Sequence, residues 1–465
     1  MGHIVNADRE YHLLQRRLDR TLTGAPASPT FIKILELLFT AEEAQLARRI
    51  PDQPISLGAL SRKTGIPQDE LGDKMTEMGQ RGLVVDMEYG GRRLVFLAPV
   101  VIGFFEFTFM RARDDLPMAE LARLFEEYMG GDGRFAHSIF QGQTQIGRSL
   151  IHEEALPDDD YTEILDWERA SQIVKSASAV GVSLCACRHK ASHLGKACDR
   201  PVEVCMTLNY GATSMIRNGI AREISNSEGM RVLEQSKEAG LAQTGDNVQR
   251  KMTYICNCCG CCCGMMQGIR DFGIRNAIVS SNWIMEVDLS KCTGCGKCAK
   301  ACPVDAIHIE QEAQAASPDD GEPAPQAGVD AAAPDKGEEA AASGRKKKRK
   351  WAVRDETTCL GCGVCYSACE FDAIRMAPRA QRVITPETVF DQRVMMAIER
   401  GKLANLIFDT PERLSHRALA RMIWVLEKSP PFKAAMAVKP LRSAFLNTLV
   451  KSAKRMSGKM SEAIS

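Results

Sequence analysis

Two runs of cysteine define the chemistry open to this chain. Cys292, Cys295, Cys298 and Cys302 stand at C-x2-C-x2-C-x3-C with Pro303 next, and Cys359, Cys362, Cys365 and Cys369 repeat the spacing. Gaps this short wrap three thiolates around one face of an iron–sulfide cube, while the fourth points away towards a second cluster. Glycines inside the run let the backbone pass close to such a cube. The chemistry this predicts is electron transfer. Zinc is the alternative occupant, and a doubled run of this spacing argues against it.

Ten more cysteines lie upstream: Cys185, Cys187, Cys198, Cys205, Cys256, Cys258, Cys259, Cys261, Cys262 and Cys263. Six of them fall within eight residues, and tetrahedral zinc takes only four inward-pointing ligands. These thiols can surround one or two further clusters, or include some kept for redox chemistry. His189 and His193 are i,i+4 neighbours beside Cys185 and Cys187 and read as hydrogen-bonded structural residues ahead of ligands. Arg188 either tunes a cluster by a charged hydrogen bond or pairs on the surface. His137 and His152 stand alone and read as ordinary surface or packing residues.

The 465 residues allow two to four domains, each with its own core. A net charge of +1 gives no general attraction to nucleic acid or acidic membranes. All 18 cysteines lie between Cys185 and Cys369, which suits metal ligation in a reducing compartment better than a secreted disulfide scaffold. Met1 to Glu10 lacks the apolar core of a signal peptide, and the apolar run Val95 to Met110 is short and contains Glu106. A soluble, cytoplasmic, oxygen-poor setting is the expectation.

The elements that must position these residues follow in order. Phe31, Ile34, Leu35, Leu38 and Leu46 have helical spacing. A helix near Leu57, the turn Thr64 to Pro67, a helix over Gln68 to Arg81 and two strands around Gly90-Gly91 follow, an arrangement that resembles a winged-helix domain. In that family the second helix enters the DNA major groove and the wing touches phosphate. Here that helix carries Asp69, Glu70, Asp73 and Glu77 against Lys74 and Arg81, which repels phosphate, so packing or partner contact is preferred. Residues 111–180 read as mostly helical, with a glycine turn at 130–133, and a further helix is expected from Ile220 to Gly240. Residues 310–344 hold few large apolar groups and predict a disordered insertion, closed by the basic block Arg345 to Lys350. The last stretch, 387–460, reads as helical and becomes basic from Lys428, which suits an amphipathic contact with an anionic membrane face, a partner, or solvent alone.

The upstream cysteines sit in a recognisable pattern: Cys185-Ala-Cys187-Arg188, Cys198-Asp199-Arg200-Pro201, Cys205, Gly219 to Ser225, and Cys256-Asn257-Cys258-Cys259-Gly260-Cys261-Cys262-Cys263. Over residues 170–375 this resembles a family of anaerobe 4Fe–4S ferredoxin-type iron–sulfur proteins, with such a cassette before two ferredoxin runs. The Cys258-Cys259-Gly260 and Cys262-Cys263-Gly264 triplets are also similar to the CCG motif of heterodisulfide reductase subunits, without its long spacings. The ferredoxin resemblance implies that Cys292, Cys295, Cys298 and Cys369 hold one [4Fe–4S] cluster, and Cys359, Cys362, Cys365 and Cys302 the other. Asp288 and Asp355 each stand four residues before a run, and Val304 to Ile307 answers Phe371 to Ile374. Glu370 replaces the proline of the first run and can place a charge near a cluster.

The expected fold is an α+β multidomain chain. Its parts are a helical and winged-helix-like region (1–112), a helical connector (113–180), the cassette (181–275), a two-[4Fe–4S] ferredoxin domain with a disordered insertion at 310–350 (276–380), and a basic helical region (381–465). The expected function is single-electron relay through two [4Fe–4S] clusters, with a further cassette cluster, to or from a redox partner such as a flavoprotein oxidoreductase. The alternatives are a reductase acting at an unusual cassette cluster and a redox-sensing DNA-binding regulator.

Overall fold

The computed structural model describes residues 7–131, 133–156, 166–312 and 349–407, with Arg421 and Val425 besides. It is a mixed helix-and-sheet architecture. At the front, helices Ala7–Asp19, Pro29–Leu38 and Ala41–Ala47 pack around Leu14, Leu18, Phe31, Ile34 and Leu35. Their ends are encoded locally: Ser28 caps the second helix with Pro29 in its first turn, and Thr40 and Glu43 form a reciprocal capping box. Strand β1 (Ile55–Ser56), helix Leu57–Thr64, a left-handed Gly65, helix Gln68–Gln80 and the hairpin β2 (Val84–Tyr89) and β3 (Arg92–Leu97) follow, with sheet order β1-β3-β2.

The apolar run after β3 stays inside. The backbone kinks at Ile102 (φ 48°) and resumes as helix Phe105–Phe109, whose rings pack on Phe125. Among the described residues no helix is long and apolar enough to cross a membrane.

An antiparallel six-stranded sheet forms the centre. Its strands are β4 (Gly147–Ser149), β5 (Val180–Leu184), β6 (Glu203–Leu208), β7 (Arg222–Ile224), β8 (Ala242–Asp246) and β9 (Tyr254–Cys258), in the order β4-β8-β9-β6-β5-β7. Side chains alternate across it. Val180, Val182, Met206, Leu208 and Ile255 face helices Ala170–Ser176 and Asn226–Glu238, while Cys258 joins the core on the other side. Two expectations change here. Residues 111–180, expected to be mostly helical, also supply β4 and the start of β5, and the helix expected from Ile220 begins at Asn226, after β7 and a Ser225 cap. Strand β4 carries no apolar residue, yet Gly147, Arg148 and Ser149 are all buried, because Arg148 is neutralised by Glu168.

The last sheet pairs are β10 (Trp283–Val287) with β13 (Ile374–Pro378), and β11 (Ile307–Gln311) with β12 (Lys350–Arg354). The expected insertion, 310–350, is therefore trimmed at both ends: Glu310 and Gln311 pair with Trp351 and Lys350 as regular strand, because the ladder continues for as long as both backbones have partners. Residues 313–348 lie outside the described residues, as does most of the basic C-terminal stretch. The described part of that stretch folds back as helix Val389–Glu399, where Val394 and Ile398 pack with Leu22 and Arg400 bonds the carbonyls of Leu22 and Ile139.

Candidate iron–sulfur sites

The two cysteine runs repeat each other bond for bond. Asp288 accepts from the amide of Ser290, and Asp355 from that of Thr357, at 2.9 Å each. The amides of Cys292 and Cys359 then bond the carbonyls of the same aspartates, both at 3.0 Å. Gly296 (φ 79°) and Gly363 (φ 85°) take the left-handed turn that starts the short helices Lys297–Ala301 and Val364–Ser367. Asp305 (φ 54°) and Asp372 (φ 47°) repeat a second left-handed turn. The halves are also laced together, since Asp288 N bonds Ala373 O at 2.8 Å and Asp355 N bonds Ala306 O at 2.7 Å.

This lacing carries the end of each run to the other. Cys292, Cys295, Cys298 and Cys369 line one concavity with Ile309, Ala352 and Phe371. Cys302 lies with Cys359, Cys362 and Cys365, where charge on any one thiolate is felt by the others. The donor sets fit a cluster: thiols, apolar walls, no carboxylate in the concavity, and backbone N–H groups already aimed at sulfur. The amide of Ala352 donates to Cys292 Sγ at 3.4 Å and that of Ala306 to Cys302 Sγ at 3.2 Å. Such bonds tune cluster potential. Burial, before the charges of Cys302 and Cys359, pushes Cys362 up to about 12, so iron must drive its deprotonation. Glu370, expected to bring charge to a cluster, forms an exposed pair with Lys297.

The two sites differ in access. Cys295 is exposed and Phe371 is 44% exposed beside it, whereas Cys362 and Cys365 are buried. His152, expected to be an ordinary surface or packing residue, is buried, donates its amide to Cys362 O at 2.9 Å and sits against Gly363. Burial and then Lys237 hold its ring down to about 4, so it is neutral, with Nε2 on Leu241 O at 3.0 Å. Its isolation in sequence hid this role.

The ten upstream cysteines separate into two groups. Strand β9 sends Cys256 and Cys258 to one face of the sheet and Asn257 to the other, where Asn257 bonds Val204 O at 2.7 Å. Cys205 lies beside Cys256, just beyond the paired Met206 and Ile255. Cys187 and Cys263 complete a chain of neighbouring thiols that runs Cys185, Cys187, Cys263, Cys258, Cys256, Cys205. Thr244 Oγ1 lies 3.3 Å from Cys258 Sγ. Glu106 closes this side: it accepts from Gly103 N at 3.0 Å, burial pushes it up to about 8, and it lies near Cys187.

The turn after β9 throws Cys259, Cys261 and Cys262 the other way, towards Cys198 in the loop before β6. The sulfurs of Cys198, Cys259, Cys261 and Cys262 all lie within 4.8 Å of one another. Arg188 is fully buried, and its Nη1 donates to Asn257 O (3.2 Å) and Cys259 Sγ (3.6 Å). Burial opposes its charge, but the thiolates of Cys185, Cys259 and Cys258 outweigh that cost and push its pKa up. Donation from Cys262, against burial and with help from Arg188, draws Cys259 down to about 4. His189 and His193 take no part: His189 Nδ1 lies 2.8 Å from Phe109 O, and both rings pack on Phe109.

The turn also touches the ferredoxin run. A Cβ on Gly260 would lie 2.7 Å from Pro303 O, and Arg270 bonds Gly260 O (2.8 Å) while pairing with Asp305 (3.4 Å). Cassette and cluster ligands thus share one backbone contact.

A family model described as a 4Fe–4S binding domain matches residues 285–308 and again 352–375, once over each run. Comparison with curated proteins found no match, and comparison with solved structures found none. The chain therefore carries two 4Fe–4S binding segments, with an additional cysteine cluster between residues 198 and 262.

Proposed function

We propose, from two 4Fe–4S binding segments in one chain, that this protein relays single electrons between a redox partner and its own cysteine cassette. The observation that carries this is the graded access of the thiols. One quartet (Cys292, Cys295, Cys298, Cys369) opens to the surface at the exposed Cys295, the other (Cys302, Cys359, Cys362, Cys365) has no exposed member and two buried ones, Cys362 and Cys365, and Pro303 abuts the cassette turn at Gly260. When bound, the clusters supply one-electron redox chemistry. The residues hold iron, exclude water and set potential through N–H groups and buried charge. In this reading a further cluster occupies the chain of six thiols from Cys185 to Cys205, and a partner such as a flavoprotein, whose flavin can pass electrons singly, docks beside Cys295 and the exposed Phe371.

The front of the chain is read as a winged helix used for packing. Asp69, Glu70, Asp73 and Glu77 are exposed, while Arg93 on the hairpin is held by Asp86 at 2.7 Å and by Thr76. The far side of the hairpin is covered by helix Asn209–Arg217, whose Ser214 donates to Asp86 O at 3.0 Å. The regulator reading keeps only the outline of the fold in its favour. A gel-shift series over salt tests it: sequence-selective, salt-sensitive binding overturns the packing role. The surplus of cassette thiols favours a second reading, a reductase at that site.

Anaerobic purification followed by iron and sulfide counts and electron paramagnetic resonance of the reduced protein tests the relay. Magnetically coupled clusters that reoxidise rapidly with a one-electron flavin acceptor are expected. A reduced protein that turns over a small substrate unaided would replace the relay by the reductase.

A further inference from the structure

We propose that Cys198, Cys259, Cys261 and Cys262 bind a single tetrahedral metal ion, zinc or iron(II), apart from any iron–sulfur cluster. The first observation is size. In a tetrathiolate with metal–sulfur bonds of about 2.3 Å, tetrahedral geometry sets the sulfurs about 3.8 Å apart. Cys198 and Cys259 stand 3.8 Å apart, Cys261 and Cys262 stand 3.7 Å apart, and all four sulfurs lie within 4.8 Å. In a cube every thiolate holds a different iron, so its sulfurs must spread further. The chain contains its own comparison: among the described residues neither ferredoxin quartet nor the six-thiol chain forms a group this tight.

The second observation is Arg188. This guanidinium is 1% exposed, makes no ion pair with a carboxylate among the described residues, and leaves Nε and Nη2 without a hydrogen-bond partner. A buried cation needs an anion. A divalent ion with four thiolates carries two net negative charges, and Arg188 reaches that group through Cys259. Metal loading thus fixes a doubly charged anion beside an arginine whose Nε and Nη2 have no hydrogen-bond partner.

The third is connectivity. Cys198 comes from the loop before β6 and the other three from the turn after β9, so one ion ties these two segments together. The turn it holds carries Gly260, the residue against Pro303. The ion is structural: with four protein ligands it keeps no open position for a substrate.

The test uses the full chain, purified without oxygen from medium containing zinc and iron. Metal and acid-labile sulfide are counted in the wild type, in Cys198→Ser/Cys261→Ser, and in Cys292→Ser/Cys369→Ser. The first variant is expected to lose one ion per chain and no sulfide; the second loses sulfide and keeps that ion. Zinc loss identifies zinc, and loss of one iron without sulfide identifies mononuclear iron. X-ray absorption of the wild type at the zinc edge should show four sulfurs at about 2.3 Å and no metal neighbour, and if the ion is iron, Mössbauer spectra should show one high-spin ferrous site per chain beside the clusters. These measurements decide the matter even if the first variant fails to fold. Loss of iron and sulfide in equal amounts from the first variant, a metal neighbour at the zinc edge, or neither zinc nor a mononuclear ferrous site beyond the clusters overturns the proposal. Failure of the electron relay would appear separately, as missing sulfide in the wild type.

Discussion

Cys369→Ser should strip the cluster of the opposite run and spare that of its own. Cys369 lines the concavity of Cys292, Cys295 and Cys298, while its run-mates Cys362 and Cys365 lie with Cys302. The five residue pairs of β10 with β13 hold this crossing in place and do not involve the thiol, so exchange of sulfur for oxygen leaves the scaffold standing. The magnitude follows from the ligand sets. A single variant should lose about four of the eight ferredoxin irons, with as many sulfides. Cys292→Ser/Cys369→Ser should lose no more than either single variant, because both act on one site, whereas Cys365→Ser/Cys369→Ser should lose both clusters. That pattern is a double-mutant test of coupling, with full non-additivity inside a site and additivity between sites. Iron and sulfide counts give the stoichiometry, and spectra of the reduced variants should lose the broadening caused by two neighbouring reduced clusters. If Cys292→Ser/Cys369→Ser empties both sites while Cys365→Ser/Cys369→Ser empties only one, the runs are not interleaved and the reasoning fails.

Three further predictions concern the frame around the sites. In the iron-free chain Cys362 sits near 12, above an ordinary thiol at about 8.5, so its contribution to stability is full below about pH 8.5 and falls as pH climbs towards 12. Urea midpoints of the reduced, iron-free protein should therefore drop from pH 8 to pH 10, and a rise would contradict the burial of that thiol. Gly361→Ala places a Cβ 2.1 Å from Trp283 O at φ 67° and should cost about 2–4 kcal/mol, of which about 1–2 kcal/mol is left-handed strain. Gly90→Ala, with a left-handed φ but open space around it, should show the strain alone in thermal unfolding. Arg148→Met leaves Glu168 charged and buried, which should cost about 3–5 kcal/mol in denaturant titrations, and Arg148→Met/Glu168→Gln should recover part of that.

The legible parts of this molecule are those that local spacing encodes. The two runs and their aspartates could be read directly, because each set of bonds spans a few residues; the left-handed turns at Gly296 and Gly363 came only with the structure. The crossing of Cys302 and Cys369 was what the ferredoxin resemblance implied. The partition of the cassette was not legible, since Cys198 meets Cys259 across 61 positions and Cys258 and Cys259 part company only because a strand ends between them. His152, Glu106 and Arg148 were passed over for a related reason. Their environments are made by tertiary burial, and neither a lone histidine nor a charge inside an apolar or polar stretch announces it. Strand β4 was missed because periodicity needs apolar residues, and this strand has none.

The lacing of the ferredoxin halves also sets a timetable for biosynthesis. Chains emerge from the ribosome amino end first, and segments fold as they become complete. The first run is made early, yet its concavity is closed by Cys369 and its strand β10 has no partner until β13 exists. The site of the first run therefore cannot be finished until Cys369 and Ile374–Pro378 have been made, after every thiol of the other site. A nascent chain halted before residue 369 would leave Cys292, Cys295 and Cys298 without their fourth thiol, open to oxygen and to the wrong metals.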